Sequence, residues 1–133
     1  MARRSASRWQ VPAADYEALA VEEAHVLATL KDYAEAFGGF SRHVRRAEGQ
    51  DVEGLPDALL WVPAQDRDHV LWAAVELKIG ADPVSAVQWR VLEATRRIDR
   101  IVAEVVRVGA PPREGEVGLD ELLARLDDAR GWT

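Results

Sequence analysis

Apolar residues recur at alternating spacings of three and four along residues 83–108, which is the pattern of a helix with one apolar face. The positions are Val84, Val87, Val91, Ala94, Ile98, Ile101, Val105 and Val108. Asp82-Pro83 is a typical helix start, a capping carboxylate followed by proline at the first helical position. We therefore predict one long helix over 83–108. Its stripe would pack either into the chain's own core or against a second chain.

A second apolar stripe, with a 3.6-residue period, predicts a helix over residues 15–37 that a glycine pair ends. Glu23 falls inside this stripe, where a bare carboxylate would be expensive to bury. Glu23 is therefore expected either to face water at the edge of the stripe or to pair with Arg67 or Lys78.

Two shorter helices are predicted in the rest of the chain. Residues 40–48 form a short helix that carries Arg42, Arg45 and Arg46. Residues 119–130 form an amphipathic helix with leucines on one face, and it follows a linker over 111–118 that is rich in proline and glycine.

Residues 57–80 are compatible with two structures. A helix would start at Gln65 or Asp66 and end at Gly80, and the Ala73-Ala74 pair favours it. A hairpin over 58–79 would use the segments ALLWV and VELKI, the second of which alternates apolar residues with Glu76 and Lys78. We take the helix as the prediction and keep the hairpin as the alternative.

These elements together predict an all-α bundle of about five helices, with α+β and a hairpin in 58–79 as the alternative. The predicted domain organisation is a flexible basic tail over 1–13, a helical domain over 14–110, the linker over 111–118 and the C-terminal helix over 119–130.

Composition narrows the class of protein. The chain has 133 residues, a net charge of −6 and no cysteine, so disulfides, thiolate metal sites and cysteine catalysis are excluded. No apolar run has the roughly 18 residues that a membrane helix needs. The many alanines and valines, with only two lysines among the 17 basic residues, are typical of a bacterial protein. We expect a cytoplasmic location, since there is no cysteine and no apolar signal segment follows the basic N-terminus.

Metal and catalytic chemistry find little support in the pattern. Glu22–His25 and Asp66–His69 have the spacing of bundle-core metal ligands, but on helical wheels both pairs face away from the apolar stripes. We therefore predict no catalytic residue, no metal site and no cofactor, and hence no enzyme.

Binding to a protein partner is the predicted function. The chain is expected to be a non-enzymatic helical assembly protein, self-associating as a homo-oligomer, with no membrane partner. The alternative is an accessory nucleic-acid binder that uses an arginine and tryptophan helix face. The candidate partner-binding residues are Trp72, Trp89, Arg96, Arg100, Arg107, Leu122 and Leu126. Of these, the nucleic-acid alternative would use Trp89, Arg96, Arg100 and Arg107.

The segment from Trp61 to Glu76, WVPAQDRDHVLWAAVE, resembles a segment of small tail-region proteins from phages of actinobacteria. Those proteins have a Trp-x-Pro, an Asp-Arg and an alanine-rich helix, followed by a Cys-x-x-Cys pair that this chain lacks. The resemblance covers 16 of the 133 residues. It implies a small subunit of a larger phage-type or bacterial-type complex.

Overall fold

The computed structural model describes residues 23–44 and 55–131, and within them the chain forms a five-stranded sheet with three helices. In chain order the elements are α1 (Glu23–Ala36), β1 (Phe40–His43), β2 (Ala58–Pro63), β3 (Val70–Ile79), α2 (Ala86–Arg96), β4 (Ile101–Val108), β5 (Glu116–Val117) and α3 (Leu119–Arg130).

The strands lie side by side in the order β1-β2-β3-β4-β5. The pairs β1–β2 and β2–β3 are antiparallel, whereas β3–β4 and β4–β5 are parallel. A parallel pair needs a crossover connection, and α2 supplies the one between β3 and β4.

Two apolar clusters place the helices on opposite faces of the sheet. The larger cluster joins α1 and α3 to alternate residues of β3, namely Leu71, Ala73, Val75 and Leu77. The smaller cluster joins Leu92 of α2 to Ala74 of β3 and to Ala103 and Val105 of β4. Because side chains alternate between the two faces of a strand, Glu76 and Lys78 share the α2 face with Ala74.

The prediction of an all-α bundle was wrong, because residues 58–79 form the antiparallel pair β2–β3 that the alternative had left open. β3 is a central strand that is buried on both faces over most of its length. Such a strand shows a nearly continuous apolar run instead of an alternation. The run therefore resembled a helix that is apolar on most sides.

The prediction of one helix over 83–108 was also wrong. The N-cap of α2 is Ser85, not Asp82, and the helix ends at Arg96. A turn that contains Arg100 at a φ of 65° then leads into β4. The second half of the apolar stripe therefore lies in a strand, which suits its β-branched residues. Residues 83–108 therefore contain no continuous helical seam for self-association, and the structure contradicts the assembly hypothesis that rested on it.

Further differences concern the first and last elements. Residues 40–43 form β1 and not a helix, and the start of the predicted 15–37 helix lies outside the described residues, as does the 1–13 tail. Glu23 is exposed in the first turn of α1, and Lys78 pairs with Glu76 instead. α3 packs into the same cluster as α1.

In the described part of the chain, no helix is long and apolar enough to cross a membrane.

Candidate active site

Four polar side chains from three segments meet on the α2 face of the sheet. Asp57 directly precedes β2, Glu76 and Lys78 lie near the end of β3, and Gln88 lies in the first turn of α2. We refer to Asp57, Glu76 and Lys78 as the carboxylate–lysine cluster.

Asp57 is held by two hydrogen bonds to the strand that carries Glu76. Its backbone N–H donates to the Val75 carbonyl at 2.9 Å, and its Oδ2 accepts from the Leu77 N–H at 2.7 Å. Ala58 pairs with Val75, so the same register continued by one residue places Asp57 opposite Glu76. Directly opposed residues of an antiparallel pair have Cβ atoms about 5 Å apart on one face.

Glu76 and Lys78 are two residues apart on β3 and therefore point to the same face. Glu76 is 5% exposed, and its Oε1 lies 3.6 Å from Lys78 Nζ. The Lys78 side chain is 14% exposed. A buried carboxylate is expensive unless charges and donors compensate it, and Lys78 is one such compensation.

Gln88 supplies a second contact to Glu76. Its Oε1 accepts from the Ser85 N–H at 2.9 Å, while Ser85 Oγ accepts from the Gln88 N–H, and the two bonds form a capping box. Because the amide oxygen is used by the cap, the amide nitrogen faces β3, where it donates to Glu76 Oε1. The start of α2 therefore fixes the orientation of the Glu76 carboxylate.

The donor set of the cluster fits a magnesium-like cation. Mg²⁺ prefers oxygen ligands and is usually held by one or two carboxylates together with water and substrate phosphates. Asp57 and Glu76 supply two carboxylates at opposed positions on one sheet face, and Asp57 Oδ1 makes no hydrogen bond within the described residues. No group of three or more His, Asp or Glu side chains suited to a metal occurs in that part of the chain.

The two tryptophans that the sequence singled out occupy different environments. Trp72 lies on the α2 face of β3 and is 43% exposed. Trp89 in α2 is partly buried against the smaller apolar cluster, and the Arg96 guanidinium lies 5.9 Å from the centroid of its ring.

The arginines of the predicted binding face do not form a common surface. Arg96 donates to the Ala103 carbonyl at 2.9 Å and to Glu104 at 3.1 Å. Arg100 lies in the turn before β4. Arg107 is 2% exposed and forms a bidentate ion pair with Glu116. Its side chain is therefore buried in an internal contact and does not reach a ligand.

The two leucines named as partner contacts are also internal. Leu122 and Leu126 are fully buried in the larger apolar cluster. Their helix, α3, packs on the sheet, and the leucine face is occupied by the chain itself.

The second carboxylate–histidine pair lies in the turn between β2 and β3. His69 Nδ1 is 2.7 Å from Asp66 Oδ2, and this hydrogen bond is the main reason that the pKa of Asp66 lies below its ordinary range. Glu22, the carboxylate of the other pair, lies outside the described residues. The Asp66–His69 pair contacts none of the three residues of the carboxylate–lysine cluster.

Sequence reasoning missed Asp57, Glu76, Lys78 and Gln88 as functional residues. One signal was present, because under the hairpin alternative Glu76 and Lys78 share a face of the strand. A buried strand face that carries both a carboxylate and a lysine needs an explanation beyond packing.

Comparison with known proteins leaves the family open but finds a similar structure. No family model matches the chain, and no curated protein matches it either. A solved structure described as a VRR_NUC domain is similar with a TM-score of 0.51 and 25% sequence identity. The match covers 80% of this chain and 95% of that one. This neighbour agrees with the mixed sheet and overturns the all-α prediction.

Proposed function

We propose that the chain is a metal-dependent nuclease that hydrolyses phosphodiester bonds of nucleic acid at the carboxylate–lysine cluster. The observation that carries the proposal is the placement of Asp57, Glu76 and Lys78 on one sheet face, with Asp57 and Glu76 each held by a hydrogen bond and Lys78 in contact with Glu76. The similar structure is a VRR_NUC domain, whose name denotes a nuclease domain. The non-enzymatic prediction is thereby abandoned, whereas nucleic acid as the partner agrees with its alternative.

Asp57 and Glu76 are the side chains that would hold the cation. Their positions are set before any ligand binds, because the Leu77 N–H orients Asp57 and the Gln88 amide orients Glu76. A cation held by these two carboxylates would neutralise developing charge on the phosphate and would lower the pKa of the attacking water.

Lys78 would act on the phosphate itself or on the attacking water. Its ammonium group has three donors, and it stands beside the carboxylates at 3.6 Å from Glu76 Oε1. A preorganised donor aimed at developing negative charge stabilises the transition state for hydrolysis. Water then adds to phosphorus, the ester P–O bond breaks, and a proton from the water ends on the leaving oxygen.

The test is hydrolysis of labelled single-stranded and double-stranded oligonucleotides by the full chain, with Mg²⁺, with Mn²⁺ and with EDTA. We expect Glu76→Gln, Asp57→Asn and Lys78→Met each to lower the rate at least about a hundredfold, the usual effect of losing one preorganised group. Glu93→Gln is the matched control, because Glu93 is an exposed residue of α2. Circular dichroism of every variant checks that the fold is retained.

Metal binding gives an independent readout. Titration calorimetry with Mn²⁺ should show binding to the wild-type chain and weaker binding to Glu76→Gln, with no change in Glu93→Gln. The proposal is contradicted if the wild-type chain cuts no oligonucleotide under any of these conditions. It is equally contradicted if Glu76→Gln cuts at the wild-type rate, which would assign the activity to a contaminant.

A further inference from the structure

A row of large apolar side chains crosses four neighbouring strands on the same face as the carboxylate–lysine cluster. Phe40 pairs with Trp61, Trp61 with Trp72, and Trp72 with Ile101 in the strand registers. Paired residues share a face, so these four side chains form one line, which we call the aromatic row. With strands about 4.8 Å apart, the row is about 14 Å long.

Two members of the aromatic row are exposed to solvent, and the other two, Trp61 and Ile101, are half-buried. Trp72 is 43% exposed and Phe40 is 47% exposed. Leu92 of α2 packs on Ala74 and Ala103 and covers the neighbouring part of this face. Trp72 and Ile101 lie two residues before Ala74 and Ala103 on the same strands. Large contiguous apolar patches on a protein surface commonly mark binding sites.

Two rings of the aromatic row stack on each other. The Phe40 and Trp61 rings are nearly parallel, with an interplanar angle of 13° and centroids 5.4 Å apart. Every nucleobase has a π-face, and stacking on such side chains is a common way to bind unpaired strands without sequence preference. Base pairs inside a duplex hide these faces, so only unpaired bases could use the row.

Position along β3 links the aromatic row to the candidate active site. Trp72 and Glu76 are four residues apart on one strand and on one face, which is about 13 Å at 3.3 Å per residue. Stacked nucleotides rise about 3.4 Å each, so about four of them would span this distance. Arg42, exposed on β1 and on the same face as Leu59 and Ala74, adds a cation that can bind phosphates.

We propose that the aromatic row binds unpaired bases of a nucleic-acid strand about four nucleotides from the bond that is cut. The substrate class is therefore a single strand or an unpaired tail, not continuous duplex. This inference rests on the proposed nuclease function, but it makes a prediction about binding that can be tested without any hydrolysis.

The test compares Trp72→Phe with Trp72→Leu in the full chain, in EDTA so that no strand is cut. Phenylalanine keeps an aromatic face, whereas leucine keeps only the apolar surface. Fluorescence anisotropy with a labelled 12-nucleotide thymidine single strand and with a 12-base-pair blunt duplex gives both dissociation constants. Ile98→Ala is the control, because Ile98 is a large apolar residue, 54% exposed, outside the aromatic row.

We expect Trp72→Leu to raise the dissociation constant for the single strand about tenfold, the scale of one lost base stack. Trp72→Phe should stay within about threefold of wild type, and Ile98→Ala and the duplex affinities should not change. Binding of the single strand should also quench tryptophan fluorescence in the wild-type chain and less in Trp72→Leu.

Several results would overturn the inference. One is an absence of single-strand binding by the wild-type chain, and another is an equal loss in Trp72→Phe and Trp72→Leu, which would indicate a merely apolar contact. A third is a dimer, seen by light scattering, that Trp72→Leu dissociates, because the row would then be covered by a second copy. If Glu76→Gln abolishes cleavage and the Trp72 variants change single-strand binding as expected, both proposals stand. If single-strand binding depends on the ring of Trp72 but the wild-type chain cuts no oligonucleotide, only the nuclease proposal is refuted.

Discussion

Replacing Glu116 by glutamine tests how the end of the sheet next to the candidate active site is stabilised. Glu116 accepts from Arg107 at 2.6 Å and 2.8 Å, and Arg107 also donates to the Gly80 carbonyl at 2.8 Å. Gly80 closes β3 just after Lys78 and has a φ of 61°. The ion pair therefore connects the turn behind the carboxylate–lysine cluster to β4 and β5.

The size of the expected effect follows from burial. The Arg107 and Glu116 side chains are 0% and 2% exposed, so water cannot solvate the Arg107 guanidinium once the Glu116 charge is removed. Removal of one partner from a buried pair leaves an uncompensated charge and costs about 3–5 kcal/mol. With a urea dependence of about 2 kcal/mol per molar, Glu116→Gln should lower the unfolding midpoint by about 2 M.

The pair also predicts a pH dependence of the free energy of unfolding. The hydrogen bonds from Arg107 hold the pKa of Glu116 below its ordinary range, against the opposing effect of burial. A lowered folded-state pKa stabilises the fold above the unfolded-state pKa, about 4.3, and this contribution is lost as pH falls through the folded value. Glu116→Gln should lack that acid step, so the wild-type advantage should shrink as the pH falls below about 4.

Urea denaturation followed by circular dichroism at pH 7 and at pH 3 measures both effects. Glu93→Gln is the control, because Glu93 is 57% exposed in its ion pair with Arg96, and such pairs are worth about 1 kcal/mol or less. The double variant Arg107→Met with Glu116→Leu should recover much of the loss, since it leaves no buried charge. A cost for Glu116→Gln no larger than that of the control would refute the reasoning.

Two further variants probe contacts that the structure defines. Arg96→Ala should lower the free energy of unfolding by about 1–3 kcal/mol, because Arg96 donates to Glu104 and to the Ala103 carbonyl. Retention on heparin should change little, and a large loss of retention without a loss of stability would restore Arg96 as a nucleic-acid contact. Gly39→Ala should cost about 1–3 kcal/mol in a thermal or urea melt, because a Cβ there would lie 1.9 Å from the Trp61 carbonyl oxygen. Wild-type stability of this variant would mean that β1 and β2 are not so close.

Prediction from the sequence succeeded or failed element by element for a physical reason. Within the described residues, 23–36 form a helix because Val26, Leu30 and Ala34 bury one face. Such one-sided burial leaves a 3.6-residue period in the sequence. β3 and β4 are buried from both sides, so apolar residues occupy most of their positions, and a nearly continuous apolar run can be fitted to a helical spacing as well as to a strand. Both strands were consequently assigned to helices.

The candidate active site was even less accessible, because its residues come from three segments. Asp57, Glu76 and Gln88 are 19 and 12 positions apart in the sequence, and no local spacing joins them. The β2–β3 register sets Asp57 opposite Glu76, and the α2 crossover carries Gln88 back over the same strand.

The amino-acid sequence by itself determined the absence of thiol chemistry, the net charge of −6 and the amphipathic pattern of α1, since each of these depends on composition or on local burial. Only the tertiary structure decided that Arg107 is an internal ion-pair partner and that Trp72 is exposed on the same sheet face as Glu76. The physical reason is that exposure and charge pairing depend on what the neighbouring strands and helices cover, and those neighbours are distant in the chain.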